Sequence, residues 1–135
     1  GMIDKLGIGD CVKFIRRRIG DEELPQLFDW ADVCVFPYRE IYGSGALLMA
    51  YSFEKPVIAS DVPAFVEETD SGSTGMLFKN KDSEALAEIL VRFSNLSCEE
   101  RDNMIASIRA LVNNKYNWVL SAKMTADLYS EVVKT

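Results

Sequence analysis

The chain contains no histidine. Without imidazole, the commonest neutral-pH proton carrier and metal ligand is missing. Neither a Ser/His/Asp triad nor a His-based metal set can be assembled, and no paired-carboxylate constellation suggests a hydrolase. No catalytic residue is therefore assigned, and no metal site is expected. Cysteine is scarce as well: Cys11, Cys34 and Cys98 are odd in number and irregular in spacing. No disulfide framework is expected, which fits a reducing cytoplasmic compartment. Cys34 reads as a small buried apolar residue. No apolar run approaches the ~18 residues that a membrane span needs, and no basic-then-apolar leader stands at the start. The expected location is cytoplasmic. Positive charge is in the minority, with 15 Lys and Arg against 21 Asp and Glu, a net charge of −6. An acidic surface repels phosphate backbones, so nucleic acid is not an expected partner and any anion site must be local. Gly1 ahead of Met2 reads as a tag remnant.

What is present suffices for a single domain over residues 2–135. A chain of 135 residues with 48% apolar content can bury roughly two-thirds of its unfolded surface. Residues 2–10 form a polar lead-in without a strong period. Val12–Ile15 reads as a short strand, followed by Arg16, Arg17 and Arg18. Asp21 is placed to cap a helix over 22–31, with Glu22 and Glu23 in its first turn and Pro25 tolerated there. Val33–Phe36 is short and wholly apolar, the pattern of a buried parallel strand. After the Lys55-Pro56 break, Val57–Ser60 reads as the next strand, then a helical turn near Phe65–Thr69 and a last strand, Met76–Phe78. Asp82 or Ser83 caps a helix with Leu86, Ile89, Leu90 and Phe93 on one face. Ser97 and Glu100 form a capping box for a helix through Val112. A final amphipathic helix spans 118–133. Strands alternating with helices predict an α/β fold, Rossmann-like, with a parallel sheet of about four strands.

Ligands of open parallel sheets gather outside the carboxyl ends of the strands. Those ends carry Arg16–Arg18, Pro37–Gly45, Ser60–Pro63 and the turn at Lys79. The central stretch is Pro37-Tyr-Arg-Glu-Ile-Tyr-Gly43-Ser-Gly45-Ala. Its glycines let a ligand approach the backbone, and unpaired N–H groups at a helix start attract anions, phosphate above all. The same residues also suit an ordinary serine cap. Arg16 and Arg17 are candidate phosphate contacts through guanidinium geometry, or else part of a solvated basic face. Tyr38 and Tyr42 sit at the rim as stacking groups or as plain surface tyrosines. Glu67 either steadies the loop after the third strand or is a solvated helix-start carboxylate.

Several further features occur in one order from about Leu6 to Tyr129. They are Leu6-Gly-x-x-Asp10-x-Val-x-Phe14, Asp21-Glu-Glu-Leu24, Ala31-Asp-Val-x-Val-x-Pro37, Lys55-Pro-Val-Ile-Ala-Ser-Asp61, Glu67, Thr74-Gly-Met-Leu77 and Asp82-x-Glu-Ala-Leu86. In this order the chain resembles the C-terminal, nucleotide-sugar donor-binding half of family 4 (group 1) glycosyltransferases, which have the two-domain GT-B fold. The resemblance implies a partial C-terminal domain that binds a nucleotide sugar as substrate, with no other cofactor. It implies retaining, hexosyl-type transfer to a glycan, lipid or other acceptor, by a full-length enzyme that is cytoplasmic or at most peripheral at the inner membrane. The donor and phosphate contacts implied are Glu40, Tyr42, Gly43, Ser44, Gly45 and Ala46. The family's Glu-x7-Glu signature falls on Ile41 and Met49, neither acidic, with Glu40 one residue from the first position. The family more often has a glycine near Arg16. The acceptor domain and a basic pair that braces the diphosphate lie upstream in the family, so this chain alone is expected to be inactive. The alternative is a non-catalytic α/β module that keeps the fold, and a third reading is another phosphate-binding Rossmann-like domain. In the family's strand order, 3-2-1-4-5-6, the first two strands precede this chain. Val12–Ile15 then either moves in beside Val33–Phe36, or a second copy pairs along that edge as a homodimer.

Overall fold

Three parallel strands, β1 (Cys34–Phe36), β2 (Val57–Ser60) and β3 (Gly75–Phe78), form a sheet in the order β1-β2-β3. This is a computed structural model, and it describes residues 1–133. Register pairs Phe36 with Ala59 and Ala59 with Leu77, while Val57 lies opposite Gly75. All four residues of β2 are buried. That is the reason for its unbroken apolar run: a central parallel strand is covered on both faces. Gly75 is required by proximity. A Cβ there would lie 2.2 Å from the Val57 carbonyl oxygen.

Helices cover the two faces of the sheet. On one, Val57 and Ala59 join Phe36, Leu47, Ala50, Tyr51, Phe65 and Ile108 in the main core. It is supplied by α3 (Gly45–Ser52), α4 (Pro63–Glu68) and α6 (Cys98–Lys115). On the other, Ile58 packs with Phe78 and Phe93 beneath α5 (Ser83–Ser94). α5 does not cover β1, and Val35 stays 37% exposed. Two caps follow the sequence reading. The Asp82 carboxylate accepts from the N–H groups of Glu84 and Ala85. Ser97 and Glu100 close the expected capping box. The last helix, α7 (Trp118–Val133), also lies where expected.

The amino-terminal quarter departs from expectation. A short helix, α1 (Met2–Leu6), occupies the lead-in, ending at Gly7 with φ of 64°. Val12–Ile15 is not a strand: no ladder reaches it, and the sheet has three strands rather than about four. The expected helix over 22–31 is shorter, α2 (Leu24–Trp30), and Asp21 does not cap it. Glu23 holds the cap position but spends its carboxylate on Arg17, which donates at 2.6 and 2.5 Å. Lys13 lies 6.0 Å from the Trp30 ring at the far end of α2. Residues 13–17 thus run antiparallel to α2, as a strand would, with the arginines beside the helix start. The direction is that of a strand, but a strand needs a neighbour to bond to, and no ladder among the described residues includes it. Phe28 joins α2 to the core by stacking on Phe53, with centroids 4.4 Å apart.

Candidate functional site

The loops after the three strands meet at the carboxyl edge of the sheet and are laced together by polar contacts. Ser60, the last residue of β2, donates its hydroxyl to the Tyr38 carbonyl. The Asp61 N–H bonds the Phe78 carbonyl at 2.8 Å, and the Asp61 carboxylate accepts from the Asn80 N–H at 2.7 Å. The Asn80 side chain in turn donates to the Arg39 carbonyl at 2.9 Å. Asp61 and Asn80 thereby fix the backbones of all three loops. Above them opens a groove of about 730 Å³, lined by Arg39, Glu40, Ile41, Tyr42, Asp61, Val62, Pro63, Ala64, Glu67, Asn80 and Lys81. The lining mixes charges of both signs, which suits a polar, hydroxyl-rich ligand more than a purely anionic one.

Gly43–Ala46 borders this groove at the start of α3. Ser44 is the N-cap: its hydroxyl accepts from the Leu47 N–H at 3.1 Å, and its carbonyl accepts from the Leu48 N–H. The Ser44 N–H donates to Oε1 of Glu68 at 3.3 Å. The N–H groups of Gly45 and Ala46 have no acceptor among the described residues, and both residues are exposed. These are the orphan donors that any helix start leaves. The serine cap and the open donors therefore coexist.

The remaining expected site residues divide. Glu40 and Tyr42 line the groove, and Tyr42 projects fully into solvent. Tyr38 packs down instead, 6.1 Å from Phe36 and 5.6 Å from Phe65 between centroids. Glu67 lines the groove from the last turn of α4, not from a helix start, and its carboxylate lies 3.8 Å from Lys115. Arg16 and Arg17 line a separate groove with Lys13, Phe14, Ile15 and Trp30. Arg17 is committed to Glu23, whose carboxyl is held down to about 2 by the Arg17 hydrogen bonds first and the Gly20 N–H second. Arg16 lies 5.0 Å over the Phe14 ring. Of the signature positions, Ile41 packs against the core and Met49 is partly exposed. Sequence reasoning missed Asn80 and Glu68. Nothing local marks either one, since each acts on a loop 19 to 41 residues away.

No curated protein matches the chain. Among solved structures it is similar to sucrose-phosphate synthase from Thermosynechococcus elongatus, at 26% identity and a TM-score of 0.77, over 98% of this chain and 33% of that one. It is also similar to the C-terminal domain of a group 1 glycosyl transferase from Francisella tularensis. There the identity is 21% and the TM-score 0.73, over 87% of this chain and 60% of that one. A third likeness is to Anabaena HepE, solved with UDP and glucose, at 23% identity and a TM-score of 0.76, over 96% of this chain and 34% of that one. The chain thus spans about a third of the length of the synthase, as a partial C-terminal domain of a GT-B protein does. The family model for "Glycosyl transferases group 1" matches residues 2–95, well over half of the sequence. The chain belongs to that family.

Proposed function

We propose that this chain forms part of the donor-binding surface of a retaining, sugar-nucleotide-dependent glycosyltransferase. The observation that carries this reading is the pair of unsatisfied N–H groups on Gly45 and Ala46, at a helix start that borders the sheet-end groove. Such donors meet phosphate or sugar oxygens without reorganising, which is how leaving-group charge is stabilised in transfer. In this reading Glu40 and Tyr42 contact the donor from the groove wall, and Gly43–Ala46 supply backbone. Arg16 contributes only where upstream residues bring the ligand across to it, and Arg17 gives up Glu23 to take part. The nucleotide sugar is substrate, and no further cofactor is required. The acceptor, a glycan, lipid or other hydroxyl compound, is held by an N-terminal domain outside this chain. The family of the chain and the UDP and glucose held by HepE support the reading.

The test is a titration of the ¹⁵N-labelled chain with UDP, GDP and ADP. Amides of residues 43–47 shift, with millimolar-range affinity corresponding to about 4 kcal/mol, because the bracing basic pair is absent. Shifts confined to other residues at high nucleotide concentration overturn the site. The alternative, a non-catalytic module that keeps the fold, is favoured by one observation: apolar Ile41 and Met49 stand at both signature positions.

A further inference from the structure

We propose that Glu68 is a specificity-determining residue: an internal carboxylate that already occupies the amino end of α3 and sets this turn against phosphate until displaced. The proposal rests on the reading that Gly43–Ala46 receives the donor.

The geometry is specific. Glu68 Oε1 lies 3.3 Å from the Ser44 nitrogen, and a Cβ on Gly43 would stand 3.7 Å from the same oxygen. The carboxylate therefore lies against the turn itself. Its other oxygen, Oε2, is shut from solvent and has no hydrogen-bond partner among the described residues. A buried acceptor left unpaired is costly, so the group is only half satisfied where it sits. Among the described residues no cation is paired with its carboxylate. Lys115 is paired with Glu67, not Glu68. The Tyr51 hydroxyl contacts the Glu68 backbone carbonyl and Thr74, not the carboxylate. Glu68 also ends its own helix, the end at which the backbone dipole is negative and disfavours a carboxylate. The positive end of α3 is its one compensating contact.

A phosphate on the Gly45 and Ala46 N–H groups would stand well within a Debye length, about 8 Å at physiological salt, of this carboxylate. Like charges at that separation repel, whereas a neutral hydroxyl on the same donors is not penalised. The turn therefore accepts the hydroxyl-bearing part of a nucleotide sugar more readily than its diphosphate. A diphosphate must push Glu68 aside to bind.

The experiment compares the wild-type chain with Glu68→Gln and Glu68→Ala. Each is titrated with UDP and, separately, with inorganic pyrophosphate, reading the amides of residues 43–47. Gln keeps the shape of the side chain and still accepts from Ser44, and thermal unfolding checks that both variants fold. Before any ligand is added, the Ser44 amide moves in both. Both variants then bind UDP and pyrophosphate about tenfold more tightly than wild type, roughly 1.4 kcal/mol, and the gain shrinks as salt is raised. Variants that bind at residues 43–47 with wild-type or weaker affinity overturn the role of Glu68 and leave the donor-binding reading intact. If none of the three chains responds at those residues, the donor-binding reading falls, and this proposal falls with it.

Discussion

Glu54 stands at φ of 56°, a left-handed conformation on a non-glycine residue. The cause is the end of α3. The Glu54 N–H returns to the Tyr51 carbonyl and the Lys55 N–H to the Ala50 carbonyl, both at 2.9 Å, the Schellman closure that favours glycine at this position. A side chain there costs about 1–2 kcal/mol. Arg109 answers it with a two-pronged contact at 2.7 and 2.6 Å, but both side chains are half-exposed, and such surface pairs are worth about 0–1 kcal/mol. The strain is the larger quantity. Glu54→Gly is therefore expected to stabilise the chain by about 0.5–1 kcal/mol, read as a higher denaturant midpoint at unchanged slope. A lower midpoint would mean that the Arg109 contact outweighs the strain. A second residue-scale prediction concerns Glu23. Its folded pKa of about 2 lies below its ordinary 4.5, so the Arg17 contact favours the folded chain above the ordinary value and fades as pH falls from there toward about 2. A carboxyl titration by NMR should place the Glu23 midpoint near 2, and Arg17→Ala should return it toward the ordinary range. A midpoint unmoved by that substitution would assign the shift to the Gly20 N–H instead.

Among elements, β2 and β3 approach each other closely at Gly75. A methyl group on Gly75 would meet both the Val57 carbonyl oxygen and, at 2.7 Å, a Val57 methyl. The backbone cannot yield without parting the ladder between the two strands. Gly75→Ala is expected to cost at least about 1–3 kcal/mol, typical of overpacking, with the loss seen as fast hydrogen exchange in β3. Retained exchange protection and stability would show that the ladder shifts more freely than its register implies. Elements were legible in the sequence where their cause is local. Val57–Ser60 declared itself because burial on both faces demands an unbroken apolar run. Ser97 and Glu100 declared a helix start because both halves of the cap lie within four residues. Val12–Ile15 has equally strand-like residues, yet a strand is defined by its partner, and no ladder among the described residues includes it. Asp21 looked like a cap, but the guanidinium of Arg17 drew Glu23 into the cap position and moved the helix start to Leu24. The groove was legible only as a set of loop ends. Its lacing through Asp61 and Asn80 depends on the register of β1, β2 and β3, which periodicity alone does not supply.

For the whole molecule, the balance lies between a well-packed centre and two uncovered flanks. Tyr51, Phe65, Leu47, Ile58 and Ile108 are fully buried, yet the outer edge of β1 has no ladder partner. Phe14 and Trp30, which line one groove, are each 67% exposed. At the other end of the chain, Leu120, Met124, Leu128 and Val132 recur every fourth residue along α7 and remain open to solvent. No helix among the described residues is long and apolar enough to cross a membrane, so these surfaces are not explained by a span. The chain spans about a third of the length of the synthase it matches. The earlier alternative, in which Val12–Ile15 closes onto β1, is not realised: β1 pairs only with β2. An open parallel edge and exposed apolar side chains are surfaces on which another chain can pair. The isolated 135-residue chain is therefore expected to self-associate at micromolar concentration, with the weight-average mass in sedimentation equilibrium rising with concentration. A proline at Val35 removes an edge N–H and should lower the association if β1 is the surface used. A monodisperse monomer across that range would mean that the edge is tolerated bare. Association unchanged by Val35→Pro would shift the contact to the apolar face of α7.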